Sequence, residues 1–196
     1  MTDKELEDRL AKLGYTQLWL DYGVLTMEYF LAQEQELEHS DDKWTEHYRY
    51  RAFKDYLSSK SQLSDIEFDN YLKLTLHDED PVMAGSVAVG LFRMTDLTEL
   101  QFQKLCTTIG HFGEWTNKTV IRETLLAQLK NEELTADLFI KCVENGDSAV
   151  QEYLLEITDI RQLQELAFKG KNKRIRTIAA QKVKELSRQN KEADSL

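Results

Sequence analysis

Five groups of residues in this chain are of types that could do chemistry if their spacing allowed it. Glu36-x-x-His39 has the one-turn Glu-x-x-His spacing that places a carboxylate and an imidazole on one helix face, as in carboxylate-bridged di-iron sites. That chemistry needs a second such pair and two further glutamates, and the sequence has no second pair. His77-Asp-Glu-Asp80 gathers one imidazole and three carboxylates, but consecutive residues on a turn diverge and Asp80 is needed as a helix cap, so solvation in a loop is expected. His47 and His111 stand without Ser, Cys or Asp at relay spacing.

Cys106 and Cys142 are too far apart for a C-x-x-C and have no finger histidines, which argues against zinc and against a disulfide framework. They read as small apolar fillers. Gly85, Gly90, Gly110 and Gly113 form neither a P-loop nor a dinucleotide fingerprint; Gly85 and Gly90 are expected to let a neighbouring helix approach closely. No catalytic residue, metal or cofactor is assigned.

The elements that must position any site are helical. With one proline and eight glycines in 196 residues, the chain lacks the turn residues that many-stranded sandwiches and barrels need. A chain this long can bury roughly 70% of its extended surface as one folding unit. No apolar run approaches a bilayer span, and the opening MTDKELEDRL is polar, so no secretory signal is expected and the expected location is the cytoplasm.

Helix starts and stops can be placed from cap chemistry. Thr2-Asp-Lys-Glu5, Ser64-Asp-Ile-Glu67 and Asp96-Leu-Thr-Glu99 fit capping boxes. After the first helix, a longer one is expected from Thr16 to about His39 and a third from Asp42 to about Ser58. Asp80, with Pro81 at the first helical position, Asn117, Asp147 and Asn172 each precede an apolar residue by three, at Met83, Val120, Val150 and Ile175. The helices before three of these starts are expected to close on Gly110, Gly146 and Gly170, where glycine tolerates the left-handed conformation. Four residues before each glycine stand Cys106, Cys142 and Leu166, expected to point inward.

These D/N-x-x-apolar starts, and above all Asn172-Lys-Arg-Ile-Arg-Thr-Ile-Ala-Ala, resemble HEAT-like α-helical repeats over roughly residues 64 to 188. Arg122 and Arg176 occupy the arginine slot of that pattern, whereas Gly85 and Gln151 or Glu152 stand there elsewhere. The resemblance implies an all-α protein: a right-handed superhelix of antiparallel helix pairs, serving as a binding scaffold rather than an enzyme. Residues 1–60 would then be an acidic, aromatic-rich helical cap, 61–188 the repeats and 189–196 a polar tail, all one folding unit.

Charge divides the chain. Residues 1–80 hold 19 acids against 9 bases, while 169–191 carry nine bases against Glu185 alone. Ten of the nineteen aromatics fall between 15 and 56, a stripe expected to be mostly core; rings left exposed among the carboxylates would form an acidic contact face. Candidate partner contacts are therefore Glu34, Glu38, Asp41, Asp42 and Trp44 on that face, and Lys169, Lys173, Arg174 and Arg176 on the basic stretch. Three functions stay open: a non-catalytic protein-binding module, an acidic inhibitor of a basic toxin or nuclease, and a repeat protein touching nucleic acid through its basic end. Salt-sensitive association of the acidic end of one copy with the basic end of another is a further expectation.

Overall fold

The computed structural model describes residues 2–41, 44–93 and 97–193, the side chains only as far as residue 189. Among the described residues there are twelve α-helices and two short 3-10 turns, and no strand. The chain divides into two compact units, Met1–Asn117 and Lys118–Leu196. Among the described residues, no helix is long and apolar enough to cross a membrane.

The first unit contains α1 (Asp3–Ala11), α2 (Gln17–Asp21), α3 (Met27–His39), α4 (Thr45–Ser58), α5 (Asp65–Leu76), α6 (Pro81–Gly90) and α7 (Glu99–Ile109). It also holds the start of α8 (Glu114–Asn131). The capping boxes of Thr2 with Glu5 and Ser64 with Glu67 form as their spacing predicts. Asp80 accepts from the amides of Val82 and Met83 with Pro81 at the first position of α6.

The long helix expected over residues 16–39 is two helices. Gly23 adopts a left-handed φ of 68° after α2, and the amides of Val24 and Leu25 both turn back to the Trp19 carbonyl. That turn buries Val24 and Leu25, and Thr26 then caps α3 by accepting from the Tyr29 amide. Two other expected starts are displaced. α7 is opened by a box of Thr98 with Gln101, not of Asp96 with Glu99; Asp96 lies outside the described residues. α8 begins at Glu114 behind Gly113 (φ 115°), so Asn117 sits inside its first turn, where its amide donates to the Gly113 carbonyl.

An aromatic core holds this unit together. Tyr15 meets Trp19 edge-on at 4.8 Å, Trp19 meets Phe53 at 4.3 Å, and Phe53 meets Tyr71 at 4.9 Å. The residues of the N-terminal stripe and of α5 thus share one interior, each buried ring contributing on the order of 2 kcal/mol. Gly85 has the packing role expected of it: a Cβ there would stand 3.0 Å from the Trp115 ring and 3.1 Å from Phe112.

The second unit comprises the rest of α8 with α9 (Ala136–Asn145), α10 (Ser148–Ile157), α11 (Ile160–Lys169) and α12 (Lys173–Ala193). α9 packs on α10 and α11 on α12; α9 also touches α11, and α10 touches α12. Leu138, Phe139, Cys142, Val150, Leu154, Leu163, Leu166 and Ile175 form its core. Asp147 and Asn172 cap α10 and α12 as expected.

Gly146 and Gly170 do stop α9 and α11, but not by left-handed geometry, since their φ values are -69° and -52°. Both need glycine for space. A Cβ on Gly146 would overlap the Cys142 carbonyl and press on Val150 at 2.8 Å; on Gly170 it would stand 2.6 Å from the Leu166 carbonyl and 2.8 Å from Ile175. Gly110 also has a negative φ, -53°. In the first unit the position four residues before the glycine fails to match: Cys106 is half-buried and Leu105 is the inward residue. Val120 is likewise half-buried, whereas Met83, Val150 and Ile175 are buried.

Candidate functional site

α4 presents Tyr50, Lys54, Leu57 and Ser58 at one-turn intervals, and this face forms one wall of a cleft of about 520 Å³ in the first unit. α6 supplies Ser86, Val87, Val89 and Gly90 to the lining, the turn after it Arg93, and the link between α4 and α5 Lys60 and Ser61. Tyr71 and Trp115 complete the lining. Its volume lies within the range of sites that seat a small molecule or a few side chains of a partner.

The lining is chemically lopsided. Among the described residues, three cations and three serine hydroxyls stand around it and no carboxylate does, on a chain whose formal net charge is -10. Lys60 is partly neutralised by Glu67 at 2.7 Å, and this ion pair with the Ser64 cap holds the Glu67 carboxylate down at a pKa of about 2. The remaining charge is that of Lys54 and Arg93, both exposed. The apolar part consists of Leu57, Val87, Val89 and the rings of Tyr71, Tyr50 and Trp115. Tyr71 is fully buried and donates to the Val87 carbonyl at 3.2 Å; burial raises its hydroxyl's pKa far above the ordinary value, so it serves as a fixed neutral donor and not as a base. Tyr50 is 38% and Trp115 43% exposed, leaving aromatic surface at the opening.

The sequence-derived candidates are placed elsewhere and are differently engaged. Glu34 is ion-paired to Arg9, which lowers the carboxyl's pKa first through that hydrogen bond. It therefore braces α3 against α1. Glu38 and Asp41 are exposed, and Trp44, the residue before α4, is 67% exposed. Asp42 lies outside the described residues. At the basic end, Lys169 pairs with Glu165 at 2.8 Å and Arg174 with Glu152 at 3.2 Å. Arg176 is half-buried and donates to the Gly170 carbonyl at 2.7 Å, which makes it a structural brace; Lys173 is exposed. Lys182 likewise meets the Leu155 carbonyl and Glu156. A polyanion would meet Lys169, Arg174 and Lys182 already paired with carboxylates.

The motifs weighed for chemistry disperse. Glu36 pairs with Arg51 while His39 turns its Nδ1 to the Gln35 carbonyl, so the two do not converge. His77 bonds the Lys73 carbonyl and Asp80 the start of α6. Asp78 is not the solvated loop residue expected but the buried partner of Arg49. Burial raises the Cys142 thiol to a pKa of about 11, which suits a filler and not a nucleophile.

Of the cleft residues the sequence singles out Gly90, but as a point of close helix approach, which it is not, since a Cβ there would meet only Leu57 at 3.6 Å; Tyr50, Lys54, Leu57 and Ser58 at i, i+4, i+7 and i+8 mark one helix face. That Arg93 and Trp115 join them depends on tertiary packing, which no local pattern reports. No protein-family model, curated protein sequence or solved structure matches this chain.

Proposed function

We propose that this chain is a non-catalytic helical binding module whose cleft in the first unit seats an acidic segment of a partner protein. The observation that carries the reading is the lining itself: Lys54, Lys60 and Arg93 with Ser58, Ser61 and Ser86, and no carboxylate among the described residues, on a chain of net charge -10. Such a site offers cations and hydroxyl donors to carboxylates at short range, so local complementarity supplies specificity. The scaffold part of the reading is supported by the second unit, where α9 on α11 and α10 on α12 stack in the manner that HEAT-like repeats would.

One observation favours a second reading, an acidic inhibitor-like face for a basic partner: Trp44 is largely exposed close in sequence to the exposed Glu38 and Asp41. Large exposed rings beside charges are typical binding anchors. An affinity capture from the native lysate, run in parallel with the unaltered protein, Lys54→Glu/Arg93→Glu and Trp44→Ala, separates the two. A stoichiometric protein lost with the cleft variant alone supports the first reading; loss with Trp44→Ala alone supports the second. Retention by both variants, or elution of nucleic acid, overturns the first.

A further inference from the structure

Gly90 closes the last turn of α6, with no strained backbone angle, and lines the cleft. A helical glycine costs about 1 kcal/mol relative to alanine, so its presence usually reflects geometry or close packing. Neither applies here. Its φ is not positive, and a Cβ built on it would meet only the Leu57 side chain, at an ordinary 3.6 Å. Gly85, one turn earlier, is packed tightly under Trp115. What the missing side chain at Gly90 leaves is room in the apolar part of the cleft, beside Leu57, Val87 and Val89.

We infer that the acidic segment enters this cleft with one aromatic or long aliphatic side chain, which fills the space over Gly90 while flanking carboxylates meet Lys54 and Arg93. This rests on the acidic-segment reading and adds the anchor to it. One feature favours a peptide over a phosphorylated small molecule. The cations are dispersed over α4, the link to α5 and the turn after α6, which suits carboxylates spaced along a peptide better than one phosphate.

The test uses fluorescein-labelled Glu-Glu-Glu-Phe-Glu-Glu-Glu, the same peptide with Gly for Phe, and the Phe peptide with Lys for every Glu, followed by anisotropy at low and high salt. The Phe peptide is expected to bind about tenfold or more tightly than the Gly peptide. Both acidic peptides should weaken in salt and in Lys54→Glu/Arg93→Glu, and the Lys peptide should not bind. Gly90→Leu should erase the Phe preference while keeping a thermal midpoint no lower than that of the unaltered protein. Equal binding of the Phe and Gly peptides, both lost in the charge variant, would overturn the anchor and leave the acidic-segment reading standing. Binding of neither, or displacement of both by adenosine monophosphate at a lower concentration than either peptide requires, would overturn that reading as well. The Phe-against-Gly comparison on the unaltered protein does not depend on any variant folding.

Discussion

Arg49 and Asp78, 29 residues apart, form a two-pronged ion pair in the interior of the first unit, Nε to Oδ2 at 2.8 Å and Nη2 to Oδ1 at 3.0 Å. Their side chains are only 4% and 2% exposed. The guanidinium also donates to the Leu13 carbonyl and the Thr45 hydroxyl, and Asp78 Oδ1 accepts from the Asp80 amide. One side chain thus ties the end of α1, the start of α4 and the turn from α5 to α6. Gly14, at φ 73°, lies so close to the guanidinium that a Cβ would overlap it.

Breaking this pair from one side leaves a buried charge without its counterion. Asp78→Asn and Arg49→Met should each cost on the order of 3–5 kcal/mol in urea denaturation, whereas Arg49→Met/Asp78→Leu should recover part of that loss. A double variant as unstable as the sum of the singles would show that the two do not act as a unit.

Glu67 gives a pH signature. Its carboxyl, at about 2 when folded against an ordinary 4.5, is charged and bonded to Lys60 and Ser64 in the native state. The folded pKa is the lower one, so the stability it supplies is complete above about pH 4.5 and is lost as the pH falls towards 2. The stability difference between the unaltered protein and Glu67→Gln, from urea curves at a series of pH values, should be constant near neutrality and shrink between pH 4.5 and 2. A gap that does not change over that interval would contradict the assignment.

How much of this was legible in the sequence follows the range of the forces involved. Caps at Thr2, Ser64, Asp80, Asp147 and Asn172 are settled within four residues and could be placed correctly. The break at Gly23 was missed because the helical apolar spacing runs through it, and only burial of Val24 and Leu25 explains the turn. Arg49 with Asp78 was invisible for the same reason as the cleft: both join residues from separate helices. The second unit shows a subtler case. Gln151 stands where the repeat pattern would have arginine, yet it is fully buried, donates to the Val143 carbonyl at 2.9 Å and accepts from the Lys171 amide at 2.7 Å. A departure from the pattern is here a bond joining the end of α9 to the turn before α12.

The two thiols should differ sharply in reactivity. Cys142 is buried and its thiol is raised to a pKa of about 11, while Cys106 is half-buried on α7. With Ellman's reagent at pH 8, one equivalent should react with the folded protein and the second only in denaturant, and Cys106→Ser should remove the early reaction. Two equivalents reacting at once in the native state would mean that the core around Cys142 opens readily.

Glycine substitutions distinguish three roles that the sequence presents alike. Gly146→Ala and Gly170→Ala add a methyl where the preceding helix's carbonyl and the next helix's Val150 or Ile175 already fill the space, so each should cost about 1–3 kcal/mol through overpacking. The backbone angles there are ones alanine adopts freely, so the loss would come from the close turn and not from φ. Gly23→Ala has open space around it but a left-handed backbone, and should cost about 1 kcal/mol for that reason alone. Gly90→Ala has neither obstacle and should stabilise the protein by up to about 1 kcal/mol through helix propensity. Thermal and urea unfolding of the four variants would check the order. If Gly90→Ala proved as damaging as Gly146→Ala, the space beside Leu57 would be needed by the fold itself and would not be there for a partner's side chain.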